Sequence, residues 1–73
     1  MKSSIYTPDH KNLINKLKLA RKEAGLDQKE VARLLGKTQS YVSKVETGQR
    51  RVDIVQMKNF ARIYKKDLDF FID

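Results

Sequence analysis

The sequence predicts an all-α fold, a compact domain of five short helices. Apolar residues recur at the three- and four-residue spacing of a helix face, as at Leu13, Leu17 and Ala20. Residues that favour the start of a helix precede several predicted helices: Asp27, Thr38, Asp53 and Asp67. A chain of 73 residues has room for one small core only, so residues 1–73 are interpreted as a single domain.

The composition favours a small cytoplasmic protein. The chain contains no cysteine, so it can form neither disulfides nor thiolate metal sites. No apolar run approaches the length that spans a membrane, and residues 1–10 lack the apolar stretch of a signal peptide. We expect no cofactor, no metal and no association with a membrane.

The first helix is predicted to begin at Pro8, with Thr7 as its cap, and to end at Ala24. Residues 1–6 show no helical pattern and are expected to form a loose arm. The core face of this helix is predicted to hold Leu13, Leu17, Ala20 and Ala24. Its opposite face is basic, which is also a pattern of membrane-surface helices, but the apolar face is needed for the core.

Residues 27–48 predict two short helices, at 28–35 and 39–47, joined by a tight turn at 36–38. The residues with the chemistry to start or end these helices are Asp27 with Glu30, Gly36, Thr38 and Gly48. The first of the two helices has an apolar face of Val31, Leu34 and Leu35, beside the small Ala32. This arrangement lets a second helix cross closely.

The helix at 39–47 combines one apolar face with one polar face. Val42 and Val45 share the apolar face. The polar face carries Ser40, Ser43, Lys44 and Thr47, with Gln39 and Tyr41 on its flanks. Such a polar face is unsuited to a core and well suited to the edges of bases in a DNA major groove.

The C-terminal third predicts a fourth helix capped by Asp53 and a short fifth helix capped by Asp67. The core residues expected here are Ile54, Met57, Ala61, Tyr64, Leu68 and Phe71. Further apolar residues exceed what one small core needs: Phe60, Ile63, Phe70 and Ile72. They predict either a surface for homodimer formation or isolated side chains that are partly exposed.

The positive charge is concentrated in one part of the chain. Residues 11–51 hold eleven lysines and arginines against four acids, which accounts for the whole net charge of +7. Residues 52–73 are balanced. Because the basic part includes the two-helix stretch, a polyanionic partner is favoured over a merely soluble surface.

The run ARKEAGLDQKEVARLLGKTQSYVSKVETGQRR, residues 20–51, resembles the phage repressor and Cro-like helix-turn-helix DNA-binding domain family. The resemblance continues weakly from Ile54 to Phe71, so it covers most of the chain. It implies a compact repressor-like domain in which the helix at 39–47 enters the major groove. It also implies an ion pair between Arg21 and Glu46 that ties the first helix to the third.

The resemblance assigns base reading to Gln39, Ser40 and Lys44, and a thymine methyl or a phosphate to Tyr41. Phosphate contacts are assigned to Gln28, Thr38, Ser43 and Thr47. Arg50 and Arg51 are expected to bind the DNA backbone, and the alternative is that they are solvated charges of a loop. The chain departs from the family pattern at Ser40, where a longer amide is common, and at Thr47, where asparagine is common.

We therefore expect a sequence-specific double-stranded DNA-binding protein, a transcriptional repressor that acts as a homodimer. Catalysis and a small-molecule substrate are not expected, because His10 is the only histidine and has no nucleophile as a partner. An alternative is a protein-interaction adaptor or antitoxin-like subunit with a protein partner, in which DNA binding is secondary. Single-stranded RNA is less favoured, since the basic half offers only Tyr41 for stacking.

Overall fold

The computed structural model describes residues 8–72, and these form five α-helices, as the sequence predicted. The helices are α1 (Pro8–Glu23), α2 (Gln28–Leu35), α3 (Gln39–Glu46), α4 (Ile54–Tyr64) and α5 (Leu68–Ile72). The predicted arm at residues 1–6 and the predicted cap at Thr7 lie outside the described residues. Within the described residues, α1 ends one residue earlier than predicted, and so does α3, which ends at Glu46 with Thr47 as its cap.

Local side-chain chemistry sets the helix ends. The Asp27 carboxylate accepts a hydrogen bond from the Glu30 N–H at 2.8 Å, and the Glu30 carboxylate accepts one from the Asp27 N–H at 2.9 Å. Asp53 and Gln56 form the same reciprocal pair at the start of α4, at 2.8 and 3.1 Å. Each pair satisfies two donors that a helix start leaves free, so α2 and α4 begin at fixed residues.

The core lies at the centre of the five helices. Helix α1 packs against α3, α4 and α5, while α2 packs against α3 and α4. The buried apolar side chains are Leu17, Ala20, Val31, Ala32, Tyr41, Val42, Val45, Met57, Phe60, Ala61, Tyr64 and Phe71. None of the helices between residues 8 and 72 is both long enough and apolar enough to cross a bilayer.

The buried face of α4 holds Met57, Ala61 and Tyr64, as predicted, and differs from the prediction at two residues. Phe60 is 1% exposed and belongs to the core, whereas Ile54, predicted as core, is 56% exposed. The buried stripe runs through Met57, Phe60, Ala61 and Tyr64, which is the three- and four-residue spacing of one helix face. Ile54 lies in the first turn of α4, beyond the edge of the covered stripe.

Two other apolar residues are more exposed than expected, and a third is only partly buried. Leu34 is 52% exposed and Ala24 is exposed, while Leu13 is half-buried against the core. Ala24 follows the last residue of α1, and Leu34 lies near the C-terminal end of α2. Both side chains line an open depression together with Leu26 and Ile63.

These exposures also revise the predicted dimer surface. Phe60 cannot contribute to it, because its side chain is enclosed by the protein's own core. Ile63 and Phe70 are partly buried against that core, and Ile72 is exposed. The Phe70 ring lies edge-on to Phe71, with 5.0 Å between the ring centroids.

Substituting Phe60 and Ile54 tests which of these two side chains of α4 is buried. Phe60→Ala should lower the free energy of unfolding by about 3–5 kcal/mol, because it removes a fully buried ring and leaves a cavity. Ile54→Ala should change it by no more than about 0.5 kcal/mol at concentrations where the protein is monomeric. Urea denaturation followed by circular dichroism measures both. Equal losses of unfolding free energy in the two variants would contradict the burial of Phe60 and the exposure of Ile54.

Candidate nucleic-acid interface

Helices α2 and α3 form a helix-turn-helix unit. Gly36 has φ of 71° and ends α2, and its N–H donates to the carbonyls of Ala32 and Arg33. Thr38 caps α3 by accepting a hydrogen bond from the Tyr41 N–H at 3.1 Å. A residue with a side chain is strained at the backbone angles of Gly36, so glycine permits the short turn between the two helices.

The outer face of α3 is polar and open to solvent. Gln39, Ser40, Lys44 and Thr47 are exposed, and Ser43 is half-buried. Val42 and Val45 on the opposite face are buried completely or nearly so. The structure therefore brings together on one surface the predicted base-reading residues other than Tyr41.

Tyr41 does not lie on this open face. Its side chain is 8% exposed, and its ring is nearly parallel to that of Phe60, with the centroids 6.4 Å apart. Burial raises the pKa of the Tyr41 hydroxyl. The burial of the ring argues against a contact between Tyr41 and a thymine methyl, while a phosphate contact by its hydroxyl, the other predicted role, stays a prediction. Its position four residues before Val45 could have indicated burial, since such a pair shares a helix face.

The Glu46 carboxylate joins three helices. It is 4% exposed, and it accepts hydrogen bonds from Arg21 Nε at 2.8 Å and Arg21 Nη2 at 3.1 Å. Gln28 Nε2 donates to the same carboxylate at 3.0 Å. Arg21 also donates from Nη1 to the Leu26 carbonyl at 3.1 Å. The structure thus brings Arg21 and Glu46 into the expected contact and adds Gln28, which the sequence interpretation had not placed there.

The same network determines the electrostatics beneath α3. The hydrogen bond to Glu46 raises the pKa of Arg21, so the guanidinium remains charged over the whole working range of pH. Burial raises the pKa of Tyr64, and its hydroxyl has no hydrogen-bond partner among residues 8–72. The ionic contact under α3 is therefore a charged pair, held beside a neutral phenol.

Gln28 keeps donors for a second partner. The hydrogen bond to Glu46 uses one of the two N–H groups of its side-chain amide. As the first residue of α2, it also has a backbone N–H that the helix itself does not satisfy. An anion at this end of α2 would meet both donors and the positive end of the helix dipole.

The remaining predicted phosphate contacts lie around the two ends of α3. The Thr38 hydroxyl oxygen is used in the cap, and the Thr47 hydroxyl donates to the Lys44 carbonyl at 3.3 Å. Arg50 and Arg51 are exposed in the loop that follows α3. Further exposed cations near the motif are Lys29, Arg33 and Lys37. The exposed side chains of α2, α3 and the loop that follows them therefore include many more cations than acids.

Compared with known protein families, residues 17–71 match the family described as helix-turn-helix. The chain belongs to this family. It is a DNA-binding domain of the phage repressor and Cro-like type, as the resemblance of residues 20–51 implied. The helix-turn-helix family comprises DNA-binding regulatory domains and is not a family of enzymes. None of the curated proteins compared with the chain matches it.

The network around Glu46 predicts how the domain responds to substitution. Arg21→Ala should lower the free energy of unfolding by about 3 kcal/mol, because it leaves a buried carboxylate without its cation. The matched control is Glu23→Ala, which breaks the ion pair of Glu23 with Lys66 at the surface. This change should cost less than about 1 kcal/mol. Thermal and urea denaturation measure the unfolding free energy of both variants. Similar losses in the two would contradict a structural role of the buried pair.

Proposed function

We propose that the protein is a transcriptional repressor that reads a specific duplex sequence by placing α3 in the major groove. The observation that carries this proposal is the outer face of α3, where every exposed side chain is polar or cationic. This face lies opposite the valines that pack on the core. The major groove of B-DNA accepts one helix and presents a distinct pattern of donors and acceptors at each base pair.

Two residues on this face have the chemistry for direct readout. Gln39, in the first turn of α3, can pair with adenine through two hydrogen bonds, and Lys44 can donate to guanine O6 and N7. Ser40 is exposed beside Gln39 but is shorter, so it reaches only a base that approaches closely. Tyr41 is not part of this proposal, because its ring lies in the core.

Contacts to phosphates would fix the position of α3 in the groove. The donors proposed for this role are the N–H groups of Gln28, the hydroxyls of Thr38 and Ser43, and the guanidinium groups of Arg50 and Arg51. The Thr47 hydroxyl could join them only by exchanging its hydrogen bond to the Lys44 carbonyl for one to a phosphate. Phosphate contacts set the register and the orientation of a protein on the duplex and carry most of the salt dependence. We assign repression because occupancy of a promoter suffices for it, and a cytoplasmic location because the bacterial or phage-type regulators that the chain resembles act there.

We further propose that two copies bind one site. A single α3 reads few base pairs, too few for useful specificity against the competing sites of a genome. Three exposed apolar side chains, those of Ile54, Val55 and Ile72, lie on α4 and α5. Ile54 and Ile72 also line a shallow depression of about 250 Å³ with Leu13 and Phe71. This apolar surface replaces the predicted one, because Phe60 is buried and Ile63 lines a different depression with Leu26 and Leu34.

Selection of bound sites from random duplex DNA tests the proposed function. We expect enrichment of a short palindromic sequence. Gln39→Ala should lower the affinity for the selected site by about 1–3 kcal/mol and relax the preference at one base pair in each half-site. Lys58→Ala, an exposed cation on α4, is the control for charge alone. Absence of any enrichment would rule out the regulator and favour a protein-interaction adaptor.

Charge introduced into the apolar surface tests the dimer. Ile54→Asp should lower the affinity for a two-half-site operator by about tenfold or more, since burying a side chain of this size is worth roughly 1.5–3 kcal/mol. Its affinity for a single half-site should stay close to that of the wild type. Leu34→Asp is the matched control, because Leu34 is equally apolar and similarly exposed but lies on α2. Sedimentation of the wild type with operator DNA should show two protomers per site, and one protomer at saturation would contradict the dimer.

A further inference from the structure

The ring of Tyr41 meets two cations at the edge of the proposed DNA-binding surface. Lys37 Nζ lies 5.5 Å from the ring centroid, and the guanidinium carbon of Arg50 lies 5.1 Å from it. Both distances are within the range over which the face of an aromatic ring attracts a cation. The ring itself is fixed from below by its nearly parallel contact with Phe60 of α4.

The two cations come from opposite ends of α3. Lys37 belongs to the turn that precedes the helix. After the helix the chain reverses at Gly48, where φ is 82°, and the N–H groups of Gln49 and Arg50 donate to the Lys44 carbonyl at 2.9 and 3.2 Å. The backbone of Arg50 is therefore tied to the end of α3. This reversal allows its side chain to return over Tyr41.

We propose that Tyr41 is a positioning residue for DNA binding, whose ring holds Lys37 and Arg50 as two oriented phosphate-binding cations beside α3. The proposal rests on the proposed function and adds to it a residue that does not touch DNA and a cation, Lys37, that does. Long cationic side chains lose rotamer freedom when they bind a phosphate. A cation that already rests on the ring has lost part of that freedom before DNA arrives, so less is lost on binding.

The chemistry of Tyr41 fits positioning rather than direct contact. Its side chain is almost entirely enclosed, so the ring cannot stack on a base. Burial raises the pKa of its hydroxyl although Arg50 lowers it, so the phenol is neutral and attracts cations through its ring face. The two cations also repel each other, and the ring offsets that repulsion by offering both of them a partner. Loss of the ring should therefore release both side chains.

The test compares Tyr41→Phe with Tyr41→Leu in DNA binding. Tyr41→Phe keeps the ring and should bind the selected operator as the wild type does. Tyr41→Leu should bind about five- to twentyfold more weakly, the effect expected when two long cationic side chains are no longer ordered before DNA arrives. All affinities are measured well below the melting temperature of each variant. Phe71→Leu is the control for a loss of core packing, because Phe71 is a buried aromatic residue of α5 away from α3. Since Phe71 also lines the proposed dimer surface, this control and the Tyr41 variants are compared on a single half-site as well, where Phe71→Leu should keep its affinity.

A double-mutant cycle separates positioning from a structural effect. In a Lys37→Ala, Arg50→Ala background, Tyr41→Leu should cause no further loss of affinity, because there are no cations left to orient. An equal loss in both backgrounds would overturn the proposal and make Tyr41 a core residue only, as would unchanged binding by Tyr41→Leu. A wild type that binds no duplex DNA would instead remove the proposed function, together with this inference.

A measurement without DNA makes these two failures distinguishable. In the free protein, the ring current of Tyr41 should shift the side-chain protons of Lys37 and Arg50 to higher field. Nuclear magnetic resonance spectra should show this shift in the wild type and in Tyr41→Phe, and its loss in Tyr41→Leu. Identical side-chain shifts in all three proteins would show that the ring does not hold the cations.

Discussion

The orientation of α3 depends on one buried carboxylate. With eight residues, α3 is too short to be a stable helix by itself, so its position is determined by its contacts. Val42 and Val45 supply apolar contact, which has no direction of its own. Glu46 supplies direction, because its two oxygens accept hydrogen bonds from Arg21 of α1 and Gln28 of α2. Removing this carboxylate from water is costly, and three charge-assisted or amide donors offset the cost only in one arrangement of the three helices.

This arrangement divides the sides of α3 among three tasks. One side packs on the core, the Glu46 side fixes the angle to α1 and α2, and the remaining side is free to meet DNA. The acid that holds the helix is enclosed and paired with Arg21, so it adds little negative potential to the outer, polar surface of α3. A positive surface can therefore coexist with an acidic residue in its own supporting helix, since the charge of that residue is compensated locally.

The features that depend on neighbouring residues could be predicted from the sequence. The burial of a side chain by helices distant in the sequence could not. The starts of α2 and α4 followed from Asp27 and Asp53, because a cap and its partner are three residues apart. The burial of Phe60 and the exposure of Ile54 did not follow, because the apolar residues of α4 offer two overlapping stripes. Packing of α4 against α1 and α5 determines which stripe is buried, and this packing cannot be derived from the local sequence of α4. Gln28 was likewise missed as a partner of Glu46, because the two lie eighteen residues apart and the family resemblance assigned Gln28 to a phosphate.

Helix α4 supports both proposed contacts of the domain, which links the reading of DNA to the assembly of two copies. Its buried stripe carries Phe60, whose ring lies between those of Tyr41 and Tyr64 at 6.4 and 5.9 Å. Its first turn carries Ile54 and Val55, on which the proposed dimer contact depends. The distance between the two copies of α3 is then set by rigid packing within each copy and by one contact between them. Because half-sites on DNA must lie about one helical turn, roughly 34 Å, apart, their spacing follows from where α4 places these two faces.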